Sequence, residues 1–144
     1  MKNLQVVSSC MLGLIAIYIA WRHWWTDELK RRHDLHERRL KVYDALIDFL
    51  EDFENANGKE FLRQVRESPF LFSDEIPNYL GEVHQKWQRY KVIKGIFADP
   101  SGRPPPEHPD FAQWSEEMKQ LGWWLHTQAP VATEKFKKEM LLND

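Results

Sequence analysis

The chain has 144 residues, with 29% charged and 13% aromatic residues, a length that suits one domain and a composition that excludes an intrinsically disordered chain. Its formal net charge of −2 is laid out unevenly: residues 22–41 hold seven Lys/Arg and four Asp/Glu (net +3), whereas residues 42–144 hold twelve and eighteen (net −6). A basic patch confined to one stretch, ahead of an acidic remainder, excludes a generally basic nucleic-acid binder, and a single cysteine, Cys10, excludes an internal disulfide and accords with a reducing compartment.

Residues 4–21, LQVVSSCMLGLIAIYIAW, carry no charge. As a helix they span roughly 27 Å, close to the roughly 30 Å hydrocarbon core of a bilayer. A cleaved secretory signal is disfavoured because its best site, Tyr18-Ile19-Ala20, puts a bulky residue at −3. A lipoprotein signal is disfavoured because the apolar run follows Val7-Ser8-Ser9-Cys10 instead of preceding it. The segment therefore reads as an uncleaved transmembrane anchor within residues 1–25. Lys2 flanks one side, and Arg22, Lys30, Arg31, Arg32, Arg38, Arg39 and Lys41 flank the other. The positive-inside rule then puts the N-terminus outside and residues 26–144 in the cytoplasm.

Trp21, Arg22, Trp24 and Trp25 close the apolar run. Indoles prefer the headgroup level, half buried and with a solvated N–H, so these residues read as a membrane-interface belt and the bilayer as a partner. Base stacking in a single-strand groove is the weaker reading, since the rings adjoin a hydrophobic span, and no nucleic acid is expected. Thr26 is placed to cap a helix. Asp27–Arg31, Glu28–Arg32, Asp34–Arg38 and Glu37–Lys41 follow it as acid-first i,i+4 pairs, each contributing about 0.2–0.5 kcal/mol to a helix.

From Arg39 the pattern turns amphipathic. Arg39, Tyr43, Leu46, Leu50 and Phe53 repeat at 4-3-4-3, which predicts one apolar helix face. Asn57-Gly58 is expected to end that helix. Residues 59–68 predict a short helix with Phe61, Leu62 and Val65 inward, stopped by Pro69. PFLF (69–72) reads as an apolar plug. Ser73 is expected to cap a helix tolerant of Pro77 in its first turn, with Ile76, Leu80, Val83, Trp87 and Tyr90 inward. Residues 98–110, ADPSGRPPPEHPD, are a Pro-rich loop, read as a spacer in preference to a polyproline-type docking ligand. A helix from Asp110 puts Phe111, Trp114, Met118, Leu121 and Leu125 on one face; Pro130 should kink or split it, leaving a last helix over 131–142 with Val131, Phe136, Met140 and Leu141 as its apolar residues. The fold class expected is all-α, an N-terminal transmembrane helix leading into a cytoplasmic bundle of four or five helices.

Chemistry is sparse. His33, His36 and Glu37 sit on neighbouring turns at metal-ligand spacing, but inside a charge-paired helix and without HExxH or a cysteine set, so a solvated face is favoured. Asp44, Asp48, Glu51 and Asp52 line the side opposite the apolar seam and read likewise. His84, His108 and His126 are isolated, and no GxSxG, P-loop or GxGxxG occurs. No catalytic residue and no cofactor is expected.

The stretches ERRLKVYDALIDFLEDF (37–53) and SPFLFSDEIPNYL (68–80), followed by a late tryptophan-bearing helix, resemble an uncharacterised class of small bacterial inner-membrane proteins with one span and a cytoplasmic helical domain. The resemblance implies the fold and a bacterial source, and brings no catalytic residues. The leading expectation is a membrane-anchored, non-enzymatic protein that binds a protein partner or self-associates, with Trp114, Trp123 and Trp124 as candidate contacts if they are not core. The alternatives are a membrane-localised effector of a mobile element or of host defence, and a membrane-bound enzyme or metal-binding protein using His33, His36 and Glu37.

Overall fold

The structure is a computed structural model; it describes residues 2–141, and their side chains from Gly13 onward. Among the described residues the fold is all-α, a helical bundle without strands: α1 Lys2–Glu51, α2 Gly58–Glu67, a 3-10 turn Ser68–Phe70, α3 Glu75–Ala98, α4 Pro109–His126 and α5 Gln128–Leu141. Residue contacts divide the chain into two compact units, one ending at Glu37 and the other beginning at Arg38.

In the first unit no side chain from Gly13 to Glu37 is buried. Thr26 does not start a helix. Its hydroxyl donates to the Arg22 carbonyl at 2.8 Å, the back-bonding of a helix interior, because α1 runs through this point. Arg31 pairs with Glu28 at 2.7 Å rather than with Asp27, and Arg32 joins the same carboxylate at 3.3 Å. These two hydrogen bonds hold Glu28 below the usual carboxylate range. From Gly13 onward no helix is long and apolar enough to cross a membrane. The first half of the uncharged run, with Cys10, lies outside the residues whose side chains are described.

The second unit is built on the periodicity of the sequence. Val42, Leu46, Phe49, Leu50 and Phe53 converge with Phe61 of α2, the Leu71–Phe72 pair, and Ile76, Tyr79, Leu80, Val83, Trp87 and Tyr90 of α3. Aromatic rings carry the centre. Phe49 stacks on Phe61 at 4.0 Å, and meets Trp87 edge-on at 5.3 Å. The buried Trp87 indole donates to the Phe53 carbonyl at 2.7 Å, which pins the chain where it leaves α1.

That exit departs from expectation. α1 ends at Glu51, the chain turns through 52–55, and Asn57 opens α2 instead of closing α1. Asn57 is extended (φ −80°, ψ 98°) and its side chain accepts from the Lys59 amide, an N-cap. Gly58 has no positive φ. Glycine is needed there because a Cβ would overlap the Trp87 ring.

Arg39, read as part of the apolar face, donates through Nε to the Leu71 carbonyl at 2.7 Å, with its guanidinium over Phe72. Within PFLF, Leu71 and Phe72 are buried, whereas Phe70 is 84% exposed. Ser73 does not cap α3; its amide and hydroxyl both donate to the buried Glu139 carboxylate of α5 at 2.8 Å, and Asp74 occupies the N-cap position. The α4/α5 break falls at Thr127, ahead of Pro130. Pro130 then lies in the first turn of α5, where its missing N–H costs nothing. The inward residues of α5 are Gln128, Ala132, Phe136 and Glu139; Val131 and Leu141 are exposed, contrary to their apolar character.

The Pro-rich segment is tied down at both ends. Asp99 accepts from the Ser101 amide and hydroxyl at 2.9 and 2.7 Å, and these bonds lower its pKa. The Arg103 guanidinium lies over Phe97 and Phe111, which meet edge-on at 5.3 Å. His108 ends the loop, its Nδ1 accepting from the Asp110 amide at 3.3 Å.

Candidate functional site

The structure separates the three C-terminal tryptophans. Trp114 is half-buried; Trp124 is half-buried against the core, with Lys86 Nζ 4.1 Å from its ring centre; Trp123 is 70% exposed. The difference comes from helix phase. Leu121 and Leu125 set the face of α4 that meets α3, and consecutive residues on a helix point about 100° apart, so Trp123 falls off that face. Gly122 allows the close approach, since a Cβ there would come 3.3 Å from the Tyr90 ring.

Trp123 lines two grooves. One, of about 550 Å³, is walled by Lys86, Glu116, Glu117, Lys119, Leu121 and Trp124. Glu117 is fixed there by Nε and Nη2 of Arg89, which donate at 2.7 and 2.8 Å and hold it below the usual carboxylate range. The other, of about 670 Å³, runs from Tyr90, Met118 and Gly122 to Glu51, Asp52, Glu54 and His126. Lys94 bonds Glu54 at 2.6 Å and lowers its pKa. The second groove carries three acids against Lys119 and His126. The site is therefore a large exposed ring between a groove with walls of both charges around Leu121 and Trp124 and a second groove with three acids.

The other candidates fall elsewhere. His33, His36 and Glu37 are exposed along α1, and among the described residues no group of three His, Cys, Asp or Glu side chains is placed to hold a metal ion. Trp21, Arg22, Trp24 and Trp25 are all exposed, Trp21 lying 6.2 Å from Trp25 between ring centres. The acids Asp44, Asp48 and Asp52 border a third groove of about 570 Å³ with Lys41, Glu60 and Arg63. His84 is half-buried between Phe61 and Trp87, and burial lowers its pKa. Sequence reasoning missed Phe70 as an exposed aromatic and Arg103 as a loop clamp; spacing gives neither, because each depends on which residue pairs across the fold. Compared with protein-family models, curated proteins and solved structures, the chain has no match.

Proposed function

We propose that this is a single-pass, membrane-anchored protein of the bacterial inner membrane, N-terminus outside, whose helical unit docks a protein partner on the Trp123 surface. The observation that carries the docking reading is the exposed indole between two grooves. Large aromatic rings that stay in water on an otherwise packed helix face supply the anchors of interfaces. The acidic groove, with Glu51, Asp52 and Glu54, suits a partner segment with an apolar side chain for Trp123 and a basic flank.

The anchor reading is supported by exposure without a face. Leu14, Ile15, Ile17, Tyr18, Ile19 and Trp21 are all about half exposed or more, and a helix that is apolar all round is stable only where something apolar surrounds it. The uncharged run of 4–21 and the basic residues after it supply length and orientation.

A photo-crosslinking residue at position 123, in intact membranes, tests the docking. The expected product is a protein cross-linked through a basic, apolar-anchored segment, lost when the exposed groove acids Glu51 and Asp52 are both changed to lysine and absent with the crosslinker at Lys137. Lipid adducts alone, or the same products from both positions, refute it. Protease should reach the helical unit only in inside-out vesicles; digestion in right-side-out vesicles refutes the orientation.

A further inference from the structure

Residues 26–41 hold ten permanently charged side chains and six others. Five of those six, Thr26, Leu29, His33, His36 and Leu40, repeat at 3-4-3-4; only Leu35 lies off the series. Such spacing puts a residue of one helix stripe at each a and d position of a heptad. In α1, Leu29 is 55% exposed and both His33 and His36 are exposed. An uncharged stripe is thus left in water on a helix whose other residues here, apart from Leu35, are charged.

We infer that the same stripe of a second copy covers it, in a parallel, in-register pair whose central layers are His33 against His33 and His36 against His36. Charge complementarity names the occupant. With Leu29 and His36 at d, the g positions are Trp25, Arg32 and Arg39, the last held by the Leu71 carbonyl, and the e positions Lys30 and Glu37. A parallel pair sets each g residue beside the e residue five further on in the other chain. Arg32 then meets Glu37, and the Trp25 ring meets the Lys30 ammonium, twice each; an antiparallel pair joins Lys30 to Glu37 but sets Arg32 against Arg39, so its charges cancel. Glu28 keeps Arg31, its closer partner at 2.7 Å, when Arg32 turns outward. The inference goes beyond partner docking at Trp123 and stands without it.

The histidine layers make the pair sensitive to pH. The charged groups facing them are Lys30, Arg32 and Glu37 of both helices, and no carboxylate lies on the stripe itself. Neutral imidazoles pack against each other and share a hydrogen bond. Protonated ones place like charges in the seam, so acid weakens association.

The test uses the full chain in micelles with Cys10→Ser. Leu29→Cys is expected to form a disulfide-linked dimer on mild oxidation, whereas Arg31→Cys, on the outer face, is not. Sedimentation of the thiol-free chain should show a dimer near pH 7.5 and roughly tenfold weaker association near about pH 5.5. The His33→Leu, His36→Leu variant should stay dimeric at both. Equal cross-linking at the two positions, a monomer at neutral pH, or a monomeric double-leucine variant overturns the seam. A wild-type dimer unmoved by acid overturns the histidine layers.

Discussion

One helix, α1, has two characters. From Gly13 to Glu37 it buries nothing; from Arg38 to Glu51 it buries Val42, Leu46, Phe49 and Leu50. Both stretches are rich in apolar residues, so apolar content alone does not decide. What differs is arrangement. The later stretch gathers its apolar side chains on one stripe, which other helices of the same chain cover. The earlier one spreads them around the helix up to Trp25, and then yields to charges that leave only a narrow uncharged line. The tryptophans divide the same way: Trp87 is buried and hydrogen-bonded, while Trp21, Trp24 and Trp25 are in the open.

Trp87→Ala should give the largest contrast. It removes a ring packed on Phe49 and leaves the buried Phe53 carbonyl without its donor, so denaturant titration of the full chain should show a loss of about 3–5 kcal/mol. Replacing Trp21, Trp24 and Trp25 together by alanine should move the same transition by less than about 0.5 kcal/mol, while lowering the share of protein that resists alkaline extraction from membranes. Equal destabilisation by both changes would break the comparison.

Gly58→Ala comes next. The new Cβ meets the Trp87 ring, and the expected cost is about 1–3 kcal/mol. Most of it should vanish in a Trp87→Leu background, where a double-mutant cycle would expose the coupling; an additive result would refute the contact.

Tyr79→Phe should cost about 1 kcal/mol, since the hydroxyl bonds Gln128 at 3.2 Å in a buried setting. Burial pushes the Tyr79 phenol from 10.0 up to about 12. The unfolded chain therefore loses this proton first, and stability falls as pH rises between those two values. In the phenylalanine variant that part of the alkaline loss should be missing.

The smallest effect is at acid pH. Glu75, bonded by Lys135 at 2.9 Å and near Lys138, and Glu54, bonded by Lys94, both have lowered pKa values. Their contribution is complete above the ordinary value of 4.5 and is lost as pH falls through the depressed one. Glu75→Gln should slightly lower the neutral plateau of a pH–stability curve and so flatten its acid limb, leaving the most acidic end unchanged; a change in slope centred near neutrality would assign the effect to another group. None of these surface pairs touches the contrast within α1, which makes them a baseline for it.

The core faces of α1 and α3 were legible because heptad-like spacing repeats over several turns, and each extra turn reduces the chance of coincidence. Short or polar contacts were not. Gln128 and Glu139 face inward on α5 while Val131 and Leu141 face out, because a helix with few apolar residues takes its phase from its partners. Ser73 has the residue type of a cap but is claimed by Glu139. The candidate surface was half legible. Three tryptophans were named together, and only packing against α3 separates the exposed Trp123 from its neighbours.

The sequence by itself determined the all-α class, the extent of the uncharged run, the charge asymmetry and the stripe that builds the core, since all of these are properties of composition and period along one chain. The tertiary structure alone decided that Asn57 opens a helix, that Gly58 and Gly122 make room for rings, and that Trp123 stands outside the core. These depend on the distance between residues far apart in the chain, which local propensity does not encode.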